Sequence, residues 1–403
     1  MNTVTRRRFL KGAGAAAVAA AGAGIGWKEL ADRARTDPLP LDAGVLVVVT
    51  LYGGNDGLNT VIPAADGAYQ SARPELAYAE HEVLSLGDGL GLNPGMTGLK
   101  ARWDSGHLAI VRGVSYPKPD HSHFRSMDIW QTASPTEPTP TGWIGRWLDT
   151  TGRDPLMAIS MEPVLPPLLV GSTTAGATLP LSGLTLPTGA LGSTLDGMAA
   201  ASPDDSPEQA RAAASLATLR RAASVLAPAV EASGSAHSTG TQTGGALAAE
   251  LDVVARCVEI GAPGRVYSVS LGGFDTHADE RGTQQRLLSE VDAAVSGFLT
   301  RMARTDRGRK VVLLAYSEFG RRVAANANQG TDHGTAGPVF VAGIPVKGGF
   351  VGAQPSLTDL DDGDLKPTTD FRDVYATLLR GVLDADPEPV LGRGRASLPL
   401  LSA

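Results

Sequence analysis

The sequence predicts an α/β protein built on a mostly parallel sheet with helices packed on it. Three observations carry that reading. Five short runs, at 45–51, 107–114, 266–271, 310–316 and 338–343, are continuously apolar rather than alternating. Such runs mark strands buried on both faces, as in sheets covered by helices. Between the third and fourth runs, Leu287, Leu288, Val291, Ala294, Val295, Phe298 and Met302 fall on one face of a predicted helix. That makes a strand–helix–strand crossover, for which a right-handed connection is expected. Finally, 403 residues with 42% hydrophobic content suffice for a large core.

The elements follow in chain order. Arg6 and Arg7, with Phe9, Leu10 and Lys11 after them, have the form of a twin-arginine export signal. The Ala, Gly and Val run behind them is too short and too weakly apolar for a stable membrane span. Residues 1–35 are therefore read as signal peptide and linker, with the twin-arginine translocase as export partner. The destination is the periplasm or the extracellular space, and residues 36–403 form the folded domain. An Ala- and Gly-rich helical insertion is expected at about 171–250, with Ser206 capping a helix ahead of Pro207. His237 falls in a flexible loop after it. Cys257, the single cysteine, excludes internal disulfides and cysteine-rich metal clusters, and its apolar helical surroundings predict a buried thiol. A net charge of −7, with no basic stripe, argues against nucleic acid as partner.

Four of the strands end in polar turns. After 45–51 comes "YGGNDGLNT" with Asn55, Asp56 and Asn59. After 107–114 comes "SYPKPDHSHFRSMD" with Asp120, His121, Ser122 and His123. After 266–271 comes "GGFDTHADE" with Asp275 and His277. After 310–316 comes "SEFGRR" with Glu318, Arg321 and Arg322, and then Asp332 and His333. Ligands of open α/β sheets bind beyond the carboxyl ends of the strands. Five of the seven histidines (His107, His121, His123, His277, His333) lie in or beside these segments. Imidazoles and carboxylates gathered in this way suit zinc, manganese or iron. Each piece also has a plain structural reading. The "GGND" stretch can be a turn whose Asp bonds its own backbone. Asp275 with His277 can be a helix cap beside a surface imidazole. Asp332 with His333 can brace a loop, and Glu318 can pair with Arg321 or Arg322 at the surface.

The ordered set "GGNDGLNT", "SHF…MDIWQTA", "GGFDTH", "SEFGRR" and "GTDHGTAGP", with "TDFRDVYATLL" at 369–379, resembles an exported bacterial family of unknown function within the alkaline phosphatase and sulfatase superfamily. The resemblance spans nearly the whole mature chain. It implies a three-layer alkaline-phosphatase-like fold carrying one or two divalent ions, zinc or manganese, and an activity on small anionic esters. By the same resemblance Asp56 matches a metal-bridging aspartate. Asp275 and His277 match an Asp…His metal pair, at closer spacing than in phosphatases. Glu318 stands where phosphatases carry an Asp-His pair, and His333 matches a late metal-binding histidine. With Asp332, these residues make up the predicted metal set. Ser122, beside His123, is the nucleophile candidate, with Ser126 its rival. Arg321 or Arg322 is the anion clamp, Arg321 being the first choice. The formylglycine motif of conventional sulfatases is absent: Cys257 is followed by Val-Glu-Ile, and Ser115-Tyr-Pro-Lys-Pro lacks the arginine. The expected function is hydrolysis of phosphate or sulfate esters. The alternative is a non-catalytic exported protein that binds a partner or glycan.

Overall fold

Every residue of Val45–Leu51 is buried, and this valine-rich run forms strand β1 in the computed structural model. Residues 23–24, 27–152, 154–179 and 245–402 are described by the structure. Arg6, Arg7, the helix predicted from Ser206 and the His237 loop lie outside the described residues. After β1 come β2 (Leu108–Ser115), β3 (Val266–Leu271), β4 (Val311–Tyr316), β5 (Gly337–Ala342), β6 (Gly349–Val351) and β7 (Thr369–Asp370). All five predicted runs are strands, displaced by at most one residue at either end. The result is a mixed α/β architecture with a mostly parallel central sheet.

The chain groups into two compact units. In the first (Met1–Leu39, Thr139–Gln242, Ile260–Ser268), Ala158–Ser160 pairs in parallel with Ala177–Thr178 and with the opening residues of β3. Trp27–Thr36 is a helix that buries Leu30 and Ala34, in a stretch whose sequence reads mainly as signal peptide and linker. The helix Trp143–Thr150 buries both of its tryptophans.

The second unit (Pro40–Pro138, Thr243–Glu259, Val269–Ala403) carries the loops of interest. Its sheet runs β1–β4–β5–β2–β6, with β7 also on β2. β1 and β4 are parallel, from Val45 opposite Val311 to Thr50 opposite Tyr316. β5 is antiparallel to both β4 and β2, whereas β6 and β7 are parallel to β2. A continuous apolar run reports burial on two faces but not direction, so the reversal of β5 could not be read from it. Because β1, β2 and β4 point the same way, the loops after them open at one edge. The Tyr52 N–H donates to Leu271 O at 2.9 Å and the Phe274 N–H to Tyr52 O at 3.2 Å, bringing the loop after β3 there as well.

Four helices matter for the site: α1 (His123–Thr132), α2 (Gly245–Ile260), α3 (Glu280–Met302) and α4 (Phe371–Gly381). Cys257 is buried on α2. α3 buries all seven residues of its predicted apolar face. Its Asp292 also accepts from the Gly98 and Leu99 N–H groups at 2.9 and 2.6 Å, capping the helix Thr97–Asp104, which has no side-chain cap of its own. α1 is anchored by Trp130, which stacks on Tyr316 of β4 with ring centroids 4.8 Å apart and packs against Phe371 and Tyr375 of α4. That anchor fixes the helix whose first residue is His123. Among the described residues no helix is long and apolar enough to cross a membrane.

Candidate metal centre

The loop after β1 turns through Gly53 and Gly54, at φ +116° and +67°. Both values belong to the region that glycine tolerates best. A Cβ on Gly53 would sit 2.5 Å from the Asp275 nitrogen, and one on Gly54 would sit 2.1 Å from a Phe319 ring carbon. The two glycines thus let three loops close on one another. This approach brings the Gly53 N–H to Glu318 Oε1 at 2.9 Å.

Arg321 crosses beneath the site with its side chain fully buried. Its guanidinium donates to the carbonyls of Gly53, Gly54, Phe274 and Thr331 and, at 2.8 Å, to Asp275 Oδ1. The expected anion clamp is corrected accordingly: every arm of Arg321 is taken by the loops, so it is a strut. Arg322, its neighbour on the strand, keeps 38% of its side chain exposed and faces Asp362 and Asp364 at 3.6 and 3.7 Å.

Three imidazoles meet around Asp275. From its Oδ1 the distances are 3.4 Å to His123 Nε2, 3.0 Å to His277 Nε2 and 3.2 Å to His333 Nε2. Each ring is held from its other nitrogen. His123 Nδ1–H donates to Glu318 Oε1 at 2.8 Å, and His333 Nδ1–H donates to the His121 carbonyl at 2.8 Å. His277 Nδ1 faces Asp332 Oδ1 at 3.5 Å. The Glu318 and His121 acceptors favour an Nδ1–H on His123 and His333, which turns Nε2 of each ring toward Asp275. Three Nε2 atoms then converge on one carboxylate oxygen. A ring proton or a cation can bridge them. Burial, the largest influence on His333, holds its pKa below the ordinary histidine value and so disfavours its charged form. For Asp275 the partial burial works upward, but the hydrogen bond from Arg321 and the close approach of His333 outweigh it and bring the carboxyl to about 2. It is ionised.

The donor set fits a metal ion. Among the described residues, His123, Asp275 and His333 form a group whose ligand atoms lie within 4.8 Å of one another. The buried Nε2 of His123 has no hydrogen-bond partner. Two atoms bound to a tetrahedral zinc at about 2.05 Å stand roughly 3.3 Å apart, close to the separations found here. His277 Nε2, 3.0 Å from His333 Nε2, lies beside that group as a fourth donor. Phe319 packs on the His123 and His333 rings with centroids 4.8 Å away, giving the site an apolar back wall.

Of the predicted metal set, Asp275, His277 and His333 come together, joined by His123. Three members are corrected. Glu318 is buried with both oxygens engaged: Oε1 by Gly53 and His123, Oε2 by the Ser317 hydroxyl at 2.9 Å. It orients a ligand instead of being one. Asp332 is exposed, bonds Asn326 and backs His277. Asp56 is elsewhere: wholly buried, it accepts from the Leu58 N–H and is gripped through both oxygens by the buried Arg73 guanidinium. Its role in the Gly57–Asn59 turn is the plain structural alternative for "GGND". Ser122 caps α1 through a 3.5 Å contact from the Arg125 N–H and is exposed. Ser126 is buried and donates to the Asp120 carbonyl at 2.6 Å. Arg73 escaped sequence reading because nothing in "SARPEL" distinguishes it from a surface arginine. A cavity of about 530 Å³ lies at the amino ends of β1 and β4, beside Gly44 and Lys310, and holds none of the predicted residues.

A family described as a protein of unknown function, DUF1501, matches residues 170–395, more than half of the chain. A solved structure described as a protein in the alkaline phosphatase superfamily from Vibrio parahaemolyticus is similar at 10% identity and a TM-score of 0.42, covering 93% of this chain and 80% of that one. The structure of Ps i-CgsB is similar at 8% identity and a TM-score of 0.39, covering 88% and 77%. No curated protein sequence matches. At those identities and scores the two structures carry no argument about activity. The family match does settle membership: the chain belongs to DUF1501, a family of unknown function.

Proposed function

We propose that this chain is a metal-dependent hydrolase of phosphate or sulfate esters, exported by the twin-arginine route to the periplasm or beyond. The observation that carries the reading is the convergence of three imidazole Nε2 atoms on the Asp275 carboxylate. His123, His277, His333 and Asp275 would hold the ion, zinc or manganese by donor chemistry. When bound, it polarises an ester oxygen and lowers the pKa of an attacking hydroxyl or water. The chain's own residues do the positioning. Glu318 and the His121 carbonyl fix two rings, Arg321 locks Asp275, and Phe319 keeps water from one side. Ser122, exposed one residue before His123, is the side-chain nucleophile within the same turn. The signal at Arg6 and Arg7 supports export, and the motif resemblance supports the ester class.

A second reading, a non-catalytic protein that binds a partner or glycan, is favoured by one observation: Arg321 and Asp56 are both committed to structure. One experiment separates the two. Protein purified without chelator is analysed for metal and assayed with 4-nitrophenyl phosphate and 4-nitrophenyl sulfate. Bound metal with turnover that chelator abolishes, and that His123→Ala removes, supports the hydrolase. Metal without turnover supports the binding reading, and metal-free wild-type protein sinks both the metal site and the hydrolase.

A further inference from the structure

Asp56 is the one acidic residue of the β1 loop, and its surroundings bear on how many ions the site can take. Its carboxylate is wholly buried, with each oxygen on a different nitrogen of Arg73. Arg73 in turn spends its remaining donors on the Val323 and Arg322 carbonyls at 2.8 and 2.7 Å. A guanidinium therefore sits across both oxygens of Asp56, whose other neighbours are the Leu58 N–H and the buried Glu280 side chain. Of the other buried carboxylates of these loops, Glu318 has its oxygens on Gly53, His123 and Ser317, and Glu280 has its on Asn59 and Thr331. Among the described residues no second cluster of three potential ligands exists.

The charges near the imidazoles follow from the same contacts. Asp275, Glu318 and Asp332 are the carboxylates that touch the three rings. Arg321 is the one cation bonded to them. With neutral imidazoles the site carries two negative charges, which a single divalent ion cancels. Arg322 adds no surplus, because it faces the two carboxylates of Asp362 and Asp364. A site so balanced has nothing left to neutralise a dianion, whereas a singly charged ester adds only one charge to it.

We infer that the centre holds one divalent ion, with Arg73 standing as a fixed cation on Asp56, and that it selects singly charged tetrahedral esters over dianionic phosphate monoesters. This rests on the hydrolase reading above for its substrate and on the Asp56–Arg73 geometry for its ion count. Sulfate monoesters and phosphodiesters share the required charge.

The test has two readouts. Protein purified without chelator and loaded with zinc or manganese is dialysed, and metal per chain is measured by elemental analysis. One ion per chain is expected, unchanged in Asp56→Asn and lost in His123→Ala and His333→Ala. Two ions per chain in the wild type overturn the inference, whether or not the Asp56 variant folds, and so does loss of the ion in a folded Asp56→Asn protein. In the second arm, kcat/KM is compared for 4-nitrophenyl sulfate, bis(4-nitrophenyl) phosphate and 4-nitrophenyl phosphate. At least a tenfold preference for one of the first two is expected, and which of them leads tells sulfate esters from phosphodiesters. Preference for 4-nitrophenyl phosphate overturns the charge selection while leaving the hydrolase standing. Turnover of none, with one ion bound, overturns the hydrolase and the selection with it.

Discussion

Oε1 of Glu318 lies 2.8 Å from Nδ1 of His123, and this bond decides which nitrogen the ring offers to the site. The same oxygen accepts from the Gly53 N–H, so one buried carboxylate holds both an imidazole and the loop after β1. Glu318→Ala should strand two half-buried donors, at a cost of up to about 1–3 kcal/mol each. It should also weaken metal binding by roughly 10- to 100-fold, as loss of an outer-shell partner does. Glu318→Gln should recover much of the stability and less of the affinity. Metal titration and thermal unfolding of the two variants check this, and unchanged affinity in both would remove Glu318 from the site.

Removing the metal should destabilise the native protein. An ion that binds only the folded state at a thousand times its Kd contributes about 4 kcal/mol. Chelator should lower the Tm by several degrees, and zinc or manganese should restore it. In His333→Ala the chelator-sensitive part should disappear, while His81→Ala, at an exposed turn, should keep it. Identical melting with and without chelator in the wild type would contradict the metal centre.

The buried Arg73–Asp56 pair gives a double-mutant cycle. Arg73→Met alone leaves a buried carboxylate without its partner and should cost about 3–5 kcal/mol. Adding Asp56→Leu removes that uncompensated charge, so the double variant should be more stable than the single one. Denaturant unfolding of the set checks the coupling. Additive losses would mean that the two side chains do not depend on each other.

Glu280 makes a pH prediction. Burial first, and the neighbouring Asp56 charge second, push its carboxyl up to about 9, so it is folded in the protonated form. Thr331 Oγ1 donates to its Oε2 at 2.5 Å. The unfolded chain releases that proton above the ordinary Glu range of about 4.3. The contribution to stability is thus complete below that pH and falls as pH rises toward 9, by at most about 1.4 kcal/mol per unit. Glu280→Gln has no proton to lose. Its stability relative to wild type should therefore improve steadily from pH 5 to pH 8. A constant difference across that range would show that Glu280 is already ionised in the folded protein.

What the sequence disclosed and what it withheld follow a physical division. Apolar runs and the 3.6-residue period of α3 reflect burial, and they located the strands and the buried face. The clustering of histidines beyond strand ends brought out His123, His277 and His333, because topology alone sends those loops to one edge. Direction and phase were hidden. Arg321 and Arg322 alternate across their strand: one is sealed beneath Asp275 and the other is partly exposed. Their order in "GRR" does not say which is which. Glu318 and Asp275 are alike in charge and both follow a strand, yet only tertiary contacts set Asp275 among the three imidazoles and Glu318 behind one of them. The Arg73–Asp56 pair, 17 residues apart in sequence, has no periodic signal at all.

The spread of the converging side chains has a kinetic consequence. Glu318 and His123 are separated by 195 positions, and His333 reaches back across 212 to the His121 carbonyl. Closing loops of that length comes late in folding, after much of the sheet they hang from has formed. An unfolded chain therefore offers a metal only local pairs such as His121 with His123 or Asp275 with His277, and not the assembled set. The ion cannot template the fold; it can only be captured by a finished one. If the chain is exported already folded, as proposed above, the compartment in which folding is completed would decide which metal is on hand to be captured.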